Sequence, residues 1–378
     1  MVSFGLGPQN RARFTFSSGT FSETFPHPLS KDDLLKSLED VDETIDGLYI
    51  APRTLKCNSR LLTAVNVLQA FKHLQFIDLS SNMISDISPL QRLTLIHELD
   101  CSSNQITDIP DCTWPFLAKL DLSRNKIARL PRMTHPLLQA IYLNHNRISS
   151  LVDKDGNYLL EEENLPKLHT LELRRNQITA NLPTLNGPLS KNESNDVQKY
   201  LKKIGLYHSG LKFLILADNK INTMASVYKP PGDVSGGEEV TLKVNEFGSR
   251  MGLVPNLVVL HLRKNGIRSL QGFTKEAFAS LKYLNLRENQ ITNLEDIQHL
   301  SELKTLQHLV LTDNPIEKIK NFRTEVLVLN LGLRRLDKKD FTDEDVREAK
   351  HLIVERAKKN SRQPEPKKRQ PIGSHLRK

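Results

Sequence analysis

The sequence predicts an α/β solenoid, an arc of stacked repeats with a parallel β-sheet on its concave face. Three observations carry that prediction. A phrase built around one asparagine recurs nine times, at Asn82, Asn104, Asn125, Asn146, Asn176, Asn219, Asn265, Asn289 and Asn314. Successive intervals begin at 22, 21 and 21 residues and end at 24 and 25. Apolar residues stand at fixed offsets from each asparagine, and two of those offsets differ by two residues, the side-chain period of a strand.

Five residues before each asparagine the chain places Ile77, Leu99, Leu120, Ile141, Leu171, Leu214, Leu260, Leu284 and Leu309. Three before it come Leu79, Cys101, Leu122, Leu143, Leu173, Leu216, Leu262, Leu286 and Leu311. Both sets point to one side of a short strand. Two residues after it, all nine copies have isoleucine: Ile84, Ile106, Ile127, Ile148, Ile178, Ile221, Ile267, Ile291 and Ile316. One such unit cannot bury its own apolar side, so the units must stack, at the period of about 20–29 residues typical of leucine-rich repeats. The chain leaves each strand inside the packed stack, where its backbone groups lose water and need partners. An amide side chain offers two donors and an acceptor, so a column of asparagines is expected to bridge neighbouring turns. The longer intervals of 30, 43 and 46 residues read as repeats with insertions.

The ends follow from the need to cap a solenoid. Residues 44–70 read as an irregular first repeat. "SKDDLLKSLED" reads as an N-terminal cap helix over 30–43, with Ser30 as N-cap and acids in its first turn. Residues 1–29 read as an extended arm. Its Phe4, Phe14, Phe16, Phe21 and Phe25 either dock on a partner or belong to a loosely ordered leader. At the other end, 315–357 reads as a cap: a final strand containing Leu333 and Leu336, then a helix opened by a Thr342/Asp345 capping box. Val346, Ala349, Leu352 and Ile353 form its apolar stripe. The repeat domain therefore spans 30–357, with insertions at 181–210 and 225–255. The first holds a helix candidate, "DVQKYLKKIGLY", and the second a loop or hairpin arm; both are either binding elements or elaborations without a role.

The net charge of +9 sits mostly in the tail, because residues 357–378 hold eight Lys/Arg and one Glu. The tail, 358–378, has the charge to meet an acidic protein surface. It resembles a nuclear import signal at "PKKRQP" but lacks the aromatic interleaving that base stacking needs, which argues against nucleic acid. No apolar run approaches the ~18 residues of a membrane span, and the N-terminus lacks the apolar core of a signal peptide. A soluble, unsecreted protein of the cytoplasm, without membrane contact, is expected. Cys57, Cys101 and Cys112 show neither a disulfide framework nor zinc spacing. No Gly-rich phosphate loop or metal-ligand cluster appears, so neither enzyme activity nor a cofactor or metal is expected.

Function must then lie in side chains on the open face, two, four and six residues before each asparagine. They are acidic in the first three copies. Later they become aromatic, aliphatic and basic. Phe213, Ile215, Val259, Tyr283 and Val310 are expected to form a contiguous apolar patch. Arg174, Arg263 and Arg287 would border it, with Tyr142 and His261 as further contacts. Apolar surface with a charged rim is a protein-binding signature. The alternative is that an insertion folds over the same side chains.

"LPKLHTLELRRNQIT" (165–179), "LVVLHLRKNGIRSLQGFTKEAFASLKYLNLRENQIT" (257–292) and "LRRLDKKDFTDEDVREA" (333–349) resemble the leucine-rich-repeat family found in the radial spokes of motile cilia. The resemblance covers roughly residues 30–357. It implies a structural scaffold of the axoneme, in the third spoke, that joins spoke-stalk or head proteins and supports motility. The insertions at 181–210 and 225–255 are additions to the family pattern, and the short basic tail replaces a Glu-rich helical extension. Two other readings stand beside it: a regulatory subunit gripping a globular enzyme such as a protein phosphatase, and a nuclear ribonucleoprotein scaffold.

Overall fold

The computed structural model describes residues 25–44, 47–151, 159–179, 208–222, 254–275 and 277–360. Most of the two insertions, including the helix candidate at 196–207, lie outside the described residues. So do residues 1–24 of the arm and 361–378 of the tail.

Each asparagine phrase folds as expected into a three-residue strand followed by a turn. Nine of these strands lie side by side: β3 (Phe76–Asp78), β4 (Glu98–Asp100), β5 (Lys119–Asp121), β6 (Ala140–Tyr142), β7 (Thr170–Glu172), β8 (Phe213–Ile215), β9 (Val259–His261), β10 (Tyr283–Asn285) and β11 (His308–Val310). β2 (Ile50–Lys56) precedes them and β12 (Arg335–Leu336) follows, all parallel and in chain order. The middle residue of each repeat strand, the residue two after it and the isoleucine beyond the asparagine are buried in all nine copies. They form one core running the length of the arc.

The asparagines do what the spacing demands. Asn125 is representative. Its Oδ1 accepts the Ile106 N–H of the preceding repeat at 2.9 Å. Its Nδ2 donates to Cys101 O of that repeat at 2.9 Å and to Leu122 O of its own at 3.0 Å. The same bonds recur from Asn104 to Asn314. At the start of the stack, Asn82 accepts from both Arg60 and Leu62 N–H groups. Seven ladder asparagines are buried; Asn219 and Asn265, which flank the long insertions, are half-buried.

The turn that delivers each asparagine has a backbone requirement that composition does not reveal. The residue just before it is left-handed in every copy, at Ser81, Ser103, Arg124, His145, Arg175, Asp218, Lys264, Glu288 and Asp313, with φ between 54° and 64°. None is glycine, and none is β-branched, the class that tolerates this region worst.

Both ends of the sheet close with an antiparallel strand. At the start, the expected cap helix over 30–43 is corrected. Helix α1 covers only Lys31–Leu35, opened by a Ser30/Asp33 capping box, and Leu38–Glu43 is strand β1, antiparallel to β2. The physical reason is twofold. Glu39, Asp40, Asp42 and Glu43 would crowd the negative end of a helix dipole. As a strand they cover the open edge of β2 instead, where Glu39 pairs with Lys56 at 2.6 Å and Asp42 pairs with Arg53.

At the far end, a helix absent from the sequence reading, α2 (Phe322–Leu329), buries Val326 and Leu327 beneath the last repeat. Leu333 sits in the turn ahead of β12, and β13 (Lys339–Asp340) returns antiparallel. Arg323 of α2 donates to the β13 carbonyls of Asp340 at 2.6 Å and Lys339 at 3.3 Å, while its guanidinium lies 4.0 Å from the Phe341 ring centroid. Asp337 finishes the stack: its Oδ1 accepts the N–H groups of Leu311 and Thr312 at 2.7 and 2.9 Å. Helix α3 (Asp343–Asn360) starts from the expected Thr342/Asp345 box. It buries Ala349 and is tied to α2 by an Arg356–Glu325 pair at 2.6 Å.

The left-handed position yields a test. Ser103→Gly should unfold within about 0.5 kcal/mol of wild type, because relief of φ strain offsets the extra freedom of the unfolded chain. Ser103→Val should lose about 1–2 kcal/mol. Denaturant midpoints of the two variants measure the difference; a valine variant as stable as the glycine one would contradict the turn geometry.

Candidate protein-binding face

Strand register sorts the open face into two rows of side chains. The first runs Phe76, Glu98, Lys119, Ala140, Thr170, Phe213, Val259, Tyr283 and His308. The second runs Asp78, Asp100, Asp121, Tyr142, Glu172, Ile215, His261, Asn285 and Val310. Phe213, Val259 and Tyr283 are thus consecutive on β8–β10, with Ile215 and His261 beside them. The His261 and Tyr283 rings are 5.0 Å apart, and Tyr283 approaches His308 at 6.4 Å.

The face differs from the sequence expectation in three respects. Phe213 is 42% exposed, but Ile215, Val259, Tyr283 and Val310 are half-buried, because neighbouring strands stand close enough to cover their flanks. Val310 is parted from Ile215 by His261 and Asn285, so the apolar surface centres on β8–β10. Two of the three rim arginines are engaged. Arg263 pairs with Glu288 at 2.5 Å and Arg287 with Asp313 at 2.7 Å, each reaching the next repeat. Arg174 is exposed.

The acidic stretch is partly structural. Asp78, Asp100 and Asp121 each accept the backbone N–H of the serine two residues on, at 2.8–2.9 Å. Burial, followed by the neighbouring Asp100 charge, raises the Asp121 pKa. Sequence reasoning passed over Arg124 and His145, which flank the same surface from the left-handed turn positions. They line a groove of about 490 Å³ together with Asn144, Glu172, Arg174, Ile215, His261 and Arg263.

Chemistry elsewhere is muted. Among the described residues no group of three or more His, Cys, Asp or Glu could hold a metal ion, and no helix is long and apolar enough to cross a membrane. Burial pushes the Cys101 thiol well above its usual range and Cys112 to about 11, so neither supplies a thiolate near neutrality. His135, on the side away from the sheet, stacks on Trp114 at 5.5 Å and accepts the Trp114 backbone N–H at Nδ1, 3.1 Å away. Burial lowers its pKa to about 4.

Comparisons with known proteins agree with the repeat fold. A family model described as "Leucine rich repeat" matches residues 255–320. A leucine-rich-repeat protein of Leptospira interrogans aligns with 75% of this chain and 60% of its own, at TM-score 0.50 and 21% identity. The fold is a leucine-rich-repeat solenoid. Among curated relatives, the leucine-rich-repeat arc is similar to leucine-rich repeat-containing protein 23 of Homo sapiens, 44% identical over 114 residues. That alignment covers 30% of this chain and 33% of the human protein. The Xenopus tropicalis protein of the same name is 46% identical over 94 residues, 25% of this chain and 27% of its own. U2 small nuclear ribonucleoprotein A' of Neurospora crassa is 39% identical over 101 residues, 27% of this chain and 40% of its own. The chain therefore matches about a third or less of the length of its leucine-rich repeat-containing protein 23 relatives.

His135 makes the arc acid-sensitive. Its folded pKa lies below the unfolded value of ~6.5, so the unfolded chain binds the extra proton and stability falls as pH drops from about 6.5 to about 4. The loss should reach about 3 kcal/mol. Denaturant titrations at pH 7 and pH 4 should show His135→Gln losing correspondingly less than wild type; equal losses would contradict the assignment.

Proposed function

We propose that the chain is a structural adaptor of the axonemal radial spoke, the third spoke on the resemblance already described. It binds other spoke proteins through its concave face and supports ciliary motility. The observation that carries this reading is the similarity to leucine-rich repeat-containing protein 23, at 43–46% identity in four vertebrates. The fold supplies the mechanism. Each strand is held on both sides and each turn is pinned by an asparagine, so the face is preformed and binding carries little ordering cost. Phe213, Val259 and Tyr283 are the proposed anchors, with Ile215 and His261 beside them. The 39% match to U2 small nuclear ribonucleoprotein A' favours, as second reading, a nuclear ribonucleoprotein scaffold.

Immunolocalisation in ciliated cells separates the two. The spoke reading expects axonemal staining, with cross-links from the concave strands to spoke-stalk or head proteins in isolated axonemes. It also expects Phe213→Ala with Tyr283→Ala to abolish capture of those partners while leaving the melting temperature within a few degrees. Purely nuclear staining would contradict it and support the ribonucleoprotein scaffold.

A further inference from the structure

The cations on the open face fall into two groups. Arg175 and Lys264 share Asp218, at 2.8 and 3.1 Å, while Arg263 and Arg287 pair with Glu288 and Asp313. Each of those cations has a carboxylate partner within the arc, although Asp218 serves two of them. Arg124 and Arg174 are exposed and, among the described residues, neither guanidinium has an ion-pair or hydrogen-bond partner. Both line the same groove, and His145 lies between them on the intervening repeat. We infer that this groove receives an extended segment of a partner protein that is acidic at one end and apolar at the other. The inference rests on the adaptor reading and specifies the partner's chemistry.

The order of surfaces along the arc dictates the polarity of that segment. Arg124 and Arg174 follow β5 and β7, and the apolar row occupies β8–β10. Five strand spacings of ~4.8 Å separate β5 from β10, about 24 Å, which an extended chain crosses in roughly seven residues. Carboxylates over β5–β7 would meet the two open guanidiniums in bidentate geometry. Apolar side chains over β8–β10 would cover Phe213, Val259 and Tyr283. Burial first, then the charges of Arg124, Arg175 and Arg174, lower the His145 pKa against the opposing charge of Asp218. Glu172, in the same groove, accepts from Asn144 Nδ2 at 2.7 Å.

A nucleic-acid strand fits less well. The open cationic stretch spans three repeats, β5–β7, and a negative column of Asp78, Asp100 and Asp121 on β3–β5 meets it at β5. A continuous phosphate backbone would have to run on past Asp100 and Asp78, whereas a short acidic segment held by Arg124 and Arg174 stops short of both.

The test uses the full chain and a fluorescent peptide of three glutamates, one glycine, then Leu, Phe and Leu, followed by anisotropy. Arg124→Glu with Arg174→Glu should weaken binding by roughly tenfold or more and flatten its salt dependence. The milder Arg124→Gln with Arg174→Gln should weaken it too, at unchanged melting temperature. Lys367→Gln, Lys368→Gln and Arg369→Gln in the basic tail should leave it intact. Binding lost with the tail variant instead, equal binding of a peptide with lysines in place of glutamates, or displacement by oligouridylate RNA that needs Arg124 and Arg174 would overturn the inference. If the peptide fails while Phe213→Ala with Tyr283→Ala still abolishes capture of spoke proteins, the partner chemistry is wrong and the adaptor reading survives. If capture is also unaffected, both fall.

Discussion

Each ladder asparagine joins backbone groups from two repeats, and the regularity of the arc depends on that junction. Where the chain leaves a strand it must turn within a dry interior, so its N–H and C=O groups cannot be left to water. At Asn289 the amide oxygen takes the Ile267 N–H at 3.1 Å, and the amide nitrogen serves Leu262 O at 3.0 Å and Leu286 O at 2.8 Å. Leucine and isoleucine burial supplies the driving force for stacking, but it is non-directional. The asparagine turns stacking into register. The left-handed residue before it aims the amide, and the isoleucine two residues on seals the turn.

Register is also what gives the face its order. Because every strand is in step with its neighbours, side chains separated by more than forty residues of sequence, such as Thr170 and Phe213, become adjacent. Surface character can then change along the arc in steps of one strand: acidic on β3–β5, an open cationic stretch at Arg124 and Arg174, apolar on β8–β10. A loosely packed repeat could not hold such a sequence of patches in fixed relation. The capped ends protect the same order, since β1 and the Arg323-bonded β13 occupy edges that would otherwise recruit foreign strands.

The fold was legible because its period repeats: asparagine and flanking aliphatic residues recur nine times at fixed offsets, and repetition averages out local ambiguity. The face was legible only in part. Alternation told which side chains point outward, but not which are already engaged. Arg263 and Arg287 find acids one repeat away, at turn positions whose only sequence mark is that they are polar and never β-branched. Arg124 and His145 occupy those same positions and were passed over for that reason. The caps are unique rather than repeated. There a short acidic segment, read as helix from local signals, was taken by the unpaired edge of β2, and α2 lacked a cap signal strong enough to announce it.

The central claim is that the asparagine amide holds adjacent repeats together, and Asn289→Ala with residue-resolved hydrogen exchange tests it most directly. The variant should lose roughly 1–3 kcal/mol of stability, the cost of leaving buried partners unpaired. The Ile267 amide should exchange markedly faster, while the Leu120 amide, five repeats away, keeps its wild-type protection. An unchanged melting curve with unchanged Ile267 protection would contradict the account.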